Sequence, residues 1–179
     1  MDPDALVAPL RADVRCGAAE LAHGAVALFE TALAESAAAD VDEFRTSLSR
    51  LALRVLEAQP SMAPLLTLAS TVLLAASGTA SVQEARAAAR SALDQFRERL
   101  QAAGRETAAR AEGLIPAGGR LLTVSSSSTV RAALLEAAKR RSFDVVCLEG
   151  RPNLEGRSLA AALAAAGVRV TLAVDAAIA

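Results

Sequence analysis

Apolar residues recur through the first two thirds of the chain with the period of a helix. Leu21, Ala25, Leu28, Phe29, Ala32 and Leu33 form one stripe. Phe44, Leu48, Leu51 and Val55 form a second, after Asp40, a residue type suited to an N-cap. A third helix is predicted from near Ser61; it is apolar nearly all round, the pattern of a central, buried element. A fourth spans residues 81–113, with Val82, Ala85, Ala89, Leu93, Phe96 and Leu100 inward. Its charges, Glu84, Arg86, Arg90, Asp94, Arg97 and Glu98, then form a solvated face. The period changes after Ile115-Pro116-Ala117-Gly118-Gly119, a helix stop and turn. Residues 120–124 and 143–148 are strand candidates, and Val168, Val170, Leu172 and Val174 alternate in a third. Helical segments at 129–140 and 155–166 separate them. The fold class is therefore α/β, a helical N-terminal subdomain over residues 1–115 followed by a small parallel sheet over 116–179. The β-α-β-α-β order implies right-handed crossovers and an open, doubly wound sheet. Three strands are few for such a sheet, so the chain is expected to be the front part of a longer protein.

Charge and composition narrow the function classes. The 19 basic and 20 acidic residues give a net charge of −1, so no basic field marks a nucleic-acid binder. With no Trp, no Tyr and four Phe, stacking on bases is not expected either. At 53% apolar and 22% charged, the chain can bury a sizeable core. Lys139 is the single lysine; arginine otherwise supplies the positive charge, and we read this, with the abundant alanine, as the coding bias of a GC-rich genome. Residues 58–83 carry no charge, but the apolar stretch from Met62 to Ala76 is shorter than the ~20 residues that span a bilayer. The acidic start, Met1-Asp2-Pro3-Asp4, lacks the order of a signal peptide. These features point to a soluble, cytoplasmic protein with no membrane partner. Two cysteines, Cys16 and Cys147, make neither a disulfide framework nor a metal motif.

Ligands of open α/β sheets bind outside the carboxyl ends of the strands, which selects three loops. The first is Ser125-Ser126-Ser127-Ser128-Thr129, between a strand and a helix. Its amides at the helix N-terminus suit an anion such as phosphate; the alternative is that Ser127 or Ser128 simply caps the helix. No GxGxxG or Walker pattern is present. The second loop, residues 149–157, carries Arg151 just past a strand, where it can grip phosphate or pair with Glu149 or Glu155. The third begins at Asp175, which can orient a sugar hydroxyl or cap the next helix. Cys147 reads as a small buried hydrophobe. Cys16 and His23, seven apart on the first long helix, read as packing residues, and Lys139-Arg140-Arg141 as a solvated helix end.

Taken together, these segments resemble the initiation factor 2B α/β/δ-like family. Gly17-Ala18-Ala19-Glu20-Leu21-Ala22 and Gln59-Pro60-Ser61-Met62-Ala63-Pro64-Leu65 resemble its helical part. Residues 119–130 (GRLLTVSSSSTV), 148–156 (LEGRPNLEG) and 168–177 (VRVTLAVDAA) match further blocks in order and spacing. The resemblance implies that residues 116–179 are the first half of a Rossmann-like domain, a partial sheet whose second half and usual dimer surface lie outside these 179 residues. It also implies a pocket for a phosphorylated sugar or nucleoside monophosphate. Ser126, Ser127, Ser128, Thr129, Arg151, Gly156, Arg157 and Asp175 would then line the ligand, with no cofactor or metal. Expected protein partners are further copies or homologous subunits. The same superfamily holds ribose-1,5-bisphosphate and methylthioribose-1-phosphate isomerases, which use a cysteine after the first strand and a downstream aspartate. Ser125 stands in that cysteine's place, two after Thr123, and is a poorer acid. The expectation is a non-catalytic binder or sensor with a role in translation initiation; the alternatives are a sugar-phosphate isomerase acting through Ser125 and a structural docking subunit.

Overall fold

Five helices build the first part of the chain: α1 (Pro3–Ala12), α2 (Ala18–Glu35), α3 (Val41–Ala58), α4 (Ala63–Ser77) and α5 (Val82–Glu112). The computed structural model describes residues 2–178, in two units, Met1–Leu100 and Gln101–Ala179. Helix α1 precedes the first stripe seen in the sequence. Asp2 accepts the Asp4 amide at 3.0 Å, and Pro3 fills the first helical position, where its missing N–H is no loss. Asp13 then organises the turn into α2 by accepting the amides of Arg15 and Cys16, both at 2.9 Å. Cys16 thus sits in this turn and does not share a helix with His23, a correction to the sequence reading. Asp40 caps α3 as expected, accepting from the amides of Asp42 (3.0 Å) and Glu43 (2.8 Å).

The apolar stripes meet in one core. Phe29 and Leu33 of α2, Phe44 and Leu48 of α3, Leu65, Leu68 and Val72 of α4, and Ala85, Ala89 and Leu93 of α5 are all buried in it. Helix α4 is not buried all round, contrary to expectation. It turns Leu65, Leu68, Ala69, Val72 and Ala76 inward, while Leu66 and Leu74 are 57% and 72% exposed. An uncharged face is not by that fact a covered one; the helical period of the inward residues decides which side packs.

Helices α2, α3 and α4 carry no basic residue in their last turns, and arginines from elsewhere meet the carbonyls at two of these ends. Arg86 donates to the Ser36 carbonyl at 2.7 Å, and Arg45 to the carbonyls of Ala76 (Nε, 3.1 Å) and Thr79. At the end of α1, Gln59 donates to the carbonyls of Leu10 (2.9 Å) and Asp13 (2.8 Å).

The second unit alternates β1 (Arg120–Thr123), α6 (Ser128–Ala138), β2 (Asp144–Leu148), α7 (Gly156–Ala165) and β3 (Arg169–Ala173). The strands are parallel in the order β1-β2-β3, with Leu121, Val145 and Val170 in register. This is the expected α/β fold with a partial sheet. The expected double winding is not seen among the described residues. Consecutive strands are neighbours, so right-handed crossovers put both helices on one face. Leu134 and Ala137 of α6 and Leu159 and Leu163 of α7 accordingly cluster with Val145 and Cys147. Leu122, one residue along β1, is 54% exposed.

The last turn of α5 belongs to this unit. Glu112, 8% exposed, accepts from Arg141 at 2.6 Å and Arg140 at 3.4 Å, and Arg141 also donates to the Ile115 carbonyl at 2.8 Å. The division between units therefore falls inside α5, whereas the sequence reading sets its boundary at the change of period, after residue 115. No helix among the described residues is long and apolar enough to cross a membrane.

Phe29 is fully buried at the centre of the helical core. Phe29→Ala should lower the stability of that unit by about 3–5 kcal/mol in urea unfolding followed by circular dichroism. A loss below about 1 kcal/mol would mean that α2 is peripheral to the core.

Candidate site at the carboxyl ends of the strands

Parallel strands end at one edge of the sheet, and the loops after β1, β2 and β3 are brought together there. The second loop is the most constrained. Gly156 opens α7 so close to β2 that a Cβ built on it would lie 1.8 Å from the Leu148 carbonyl oxygen. The backbone between them folds tightly, with the Gly156 amide on the Glu149 carbonyl (3.1 Å) and the Leu154 amide on the Gly150 carbonyl (2.7 Å). Gly150 takes φ +74° and Leu154 φ +58°, so the turn uses left-handed backbone at two points.

This fold buries Glu149, 4% exposed, and its charge is met by two arginines. Arg151 Nε donates to one carboxylate oxygen at 2.5 Å and Arg157 to the other at 3.1 Å. These bonds, Arg151's first, hold the Glu149 carboxyl below its ordinary range, and Glu149 raises Arg151 in return. Of the two uses that the sequence left open for Arg151, the structure contains the ion pair with Glu149. Both guanidinium groups nonetheless stay on the surface, with side chains 69% and 55% exposed.

The third loop is tied to the second through Asp175. Its carboxylate accepts the amides of Arg151 (2.7 Å) and Gly150 (2.9 Å), and these two bonds, in that order, lower its pKa. Asp175 also starts the short 3-10 turn Asp175–Ile178. In the first loop Ser125 follows β1 with φ +66°, and its hydroxyl donates to Glu155 at 2.9 Å. Ser127 caps α6 by accepting the Val130 amide at 3.4 Å, the capping alternative read in the sequence. Ser126, Ser128 and Thr129 are half-buried at the same end of α6, where the helix dipole is positive.

The candidates Ser125 to Thr129, Arg151, Gly156, Arg157 and Asp175 all follow the carboxyl ends of the strands, and the loops are linked by the bonds of Ser125 to Glu155 and of Asp175 to the amides of Gly150 and Arg151. Two acidic partners had not been singled out as site residues, Glu149 and Glu155. Both read in the sequence as possible ion-pair partners of Arg151, and for Glu149 the position at the end of an apolar strand is the signal that it is buried. Glu155 offers none, because its bond to Ser125 spans thirty residues. The other candidates stay apart. Cys147 is fully buried in β2, and that burial pushes its thiol up. Exposed Cys16 is pushed up to about 11, first by its hydrogen bond with Asp13 and then by burial. No group of three or more His, Cys, Asp or Glu is placed to hold a metal among the described residues.

Comparison with known proteins follows the same span. Residues 14–179 match the initiation factor 2 subunit family. Over 93 residues the chain is 33% identical to the beta subunit of translation initiation factor eIF2B from Dictyostelium discoideum, covering 52% of this chain and 24% of that protein. Its structure is similar to translation initiation factor eIF-2B of Pyrococcus horikoshii OT3, with a TM-score of 0.85 and 28% identity over 97% of this chain and 60% of the other. The 5-methylthioribose 1-phosphate isomerase of Pyrococcus horikoshii OT3 shares the fold, at a TM-score of 0.80 and 15% identity, over 98% of this chain and 52% of that one. The chain therefore spans about a quarter of the curated relative and 60% of the first solved one.

Two outcomes follow from this geometry. Gly156→Ala should disrupt the sheet unit, read as lost amide-exchange protection in β2 and α7. Gly104→Ala, where a Cβ meets nothing within 4 Å, should be neutral or stabilise by up to about 1 kcal/mol. Equal stability of the two variants would contradict the close approach. Cys16 should react with iodoacetamide at pH 8 about tenfold more slowly than a peptide thiol, the smaller thiolate fraction outweighing its higher nucleophilicity, and Asp13→Asn should restore most of the rate. An ordinary rate in the wild-type chain would remove the Asp13 bond from the description.

Proposed function

Since this chain belongs to the initiation factor 2 subunit family, we propose that it acts as a non-catalytic binder of a phosphorylated sugar or nucleoside monophosphate at the strand carboxyl ends. Two observations support this reading: the exposed Arg151 side chain on the tight loop after β2, and the hydroxyl-rich start of α6 after β1, both at the carboxyl ends of the strands. A phosphomonoester needs fixed donors of that kind. Helix N-terminal amides and serine hydroxyls can meet its oxygens, and a guanidinium its charge. The sugar or nucleoside would extend over the loops after β2 and β3. The curated relative is named as one subunit of a larger factor, which supports assembly with homologous subunits or further copies and a role in translation initiation.

The isomerase reading is weaker. Its supporting relative shares 15% identity, a likeness of fold alone. At the position where the resemblance expects a cysteine, Ser125 has no acidic thiol, and its hydroxyl is engaged by Glu155.

The test is a thermal-shift series with AMP, ribose 1,5-bisphosphate, fructose 6-phosphate and inorganic phosphate. A ligand at a hundredfold excess over its Kd should stabilise the folded chain by about 2.7 kcal/mol, and Arg151→Ala should abolish the shift. No shift with any of the four, or an undiminished shift in Arg151→Ala, would overturn the proposal. Turnover of ribose 1,5-bisphosphate that is lost in Ser125→Ala would establish the isomerase instead.

A further inference from the structure

The two arginines at the candidate site share one buried carboxylate, and this arrangement gives them different tasks. Glu149 receives Arg151 on one oxygen and Arg157 on the other. A carboxylate 4% exposed cannot lose both cations without leaving a buried charge unpaired, a costly state. It can lose one. Arg151 is the better placed to leave, because its amide is fixed by Asp175 at 2.7 Å while its side chain is 69% exposed. Glu149 engages it through Nε, and its terminal amino groups make no hydrogen bond among the described residues. Arg157 lies in the first turn of α7, its amide on the Leu154 carbonyl at 3.1 Å, next to the close approach at Gly156. Two carboxylates hold Arg151, Glu149 on its guanidinium and Asp175 on its backbone amide, so the positive charge of that guanidinium is already engaged.

Resting on the phosphate reading above, we propose that Glu149 is an exchangeable counter-ion. An incoming phosphomonoester takes Arg151 from it, and Arg157 stays behind to keep the buried carboxylate paired. Arg151 is then the residue that touches ligand, and Arg157 is a positioning residue whose effect runs through Glu149. No bond other than hydrogen bonds changes, and the ligand's charge replaces that of Glu149 at the Arg151 guanidinium.

Titration calorimetry with AMP and inorganic phosphate as probes separates these roles in three variants of the chain. Arg157→Ala leaves Glu149 with Arg151 as its only partner, and probe affinity should fall roughly tenfold or more. Adding Glu149→Gln to that variant removes the charge that traps Arg151, and affinity should return to within about threefold of wild type. Glu149→Gln alone should bind at least about threefold more tightly than wild type, a readout that stands if Arg157→Ala proves unstable. Wild-type affinity in Arg157→Ala, no recovery in the double variant, or no gain in Glu149→Gln would each overturn the exchange. Failure of the wild-type chain to bind either probe, or ribose 1,5-bisphosphate or fructose 6-phosphate, would remove the phosphate reading itself, and the exchange with it.

Discussion

Because Gly156 has no Cβ, the first turn of α7 can lie against the last carbonyl of β2, and the rest of the candidate site follows from that contact. The chain must close from Glu149 to Gly156 in a single tight loop, which it does with left-handed backbone at Gly150 and Leu154. Closure buries Glu149 at the end of the strand, and a buried carboxylate must be paired. Arg151 and Arg157 lie on either side of the loop and supply the charge. The two amides turned outward by the loop, those of Gly150 and Arg151, would be unsatisfied without the Asp175 carboxylate. One steric allowance thus determines the position of a carboxylate, two guanidinium groups and the start of the segment after β3.

The helical unit solves a different problem. Its helices α2, α3 and α4 end without a basic residue in the last turn. Arg45, Gln59 and Arg86 reach helix ends from distant positions, so several helix ends are closed only once the tertiary fold has formed. Local propensity starts these helices, through Asp2 and Asp40, and packing finishes them.

What could be read from the sequence was what depends on neighbours along the chain. The stripes of α2 and α3, the Asp40 cap, the switch to alternation after Gly119 and the strand-helix order all have short periods, and all four appear in the fold. The strand-end rule then selects three loops without any knowledge of their geometry. What the sequence does not show is a partner that lies far away. Ser125 bonds Glu155, and Asp175 the amides of residues 150 and 151, across separations that no periodicity encodes. Helix α4 was taken as buried because it lacks charge, although Leu66 and Leu74 face outward. Double winding was inferred from alternation of elements, but alternation leaves strand order open, and it is strand order that decides which face a crossover helix covers.

The likeness to initiation factor structures and the likeness to an isomerase carry different weight for chemistry, and Ser125 shows why. A TM-score of 0.85 and one of 0.80 both describe the same path of the chain. The path fixes where Ser125, two residues past β1, stands, at the open end of the sheet; in this chain it takes a left-handed conformation that L-residues adopt at some cost. It does not fix which atom that residue offers. Here the atom is a hydroxyl oxygen whose proton is donated to Glu155, near a guanidinium already held by Glu149. On the proposed reading, such a site holds an anion through aligned neutral donors and through a cation released from a partner that remains neutralised, and both requirements concern binding, not proton transfer at carbon.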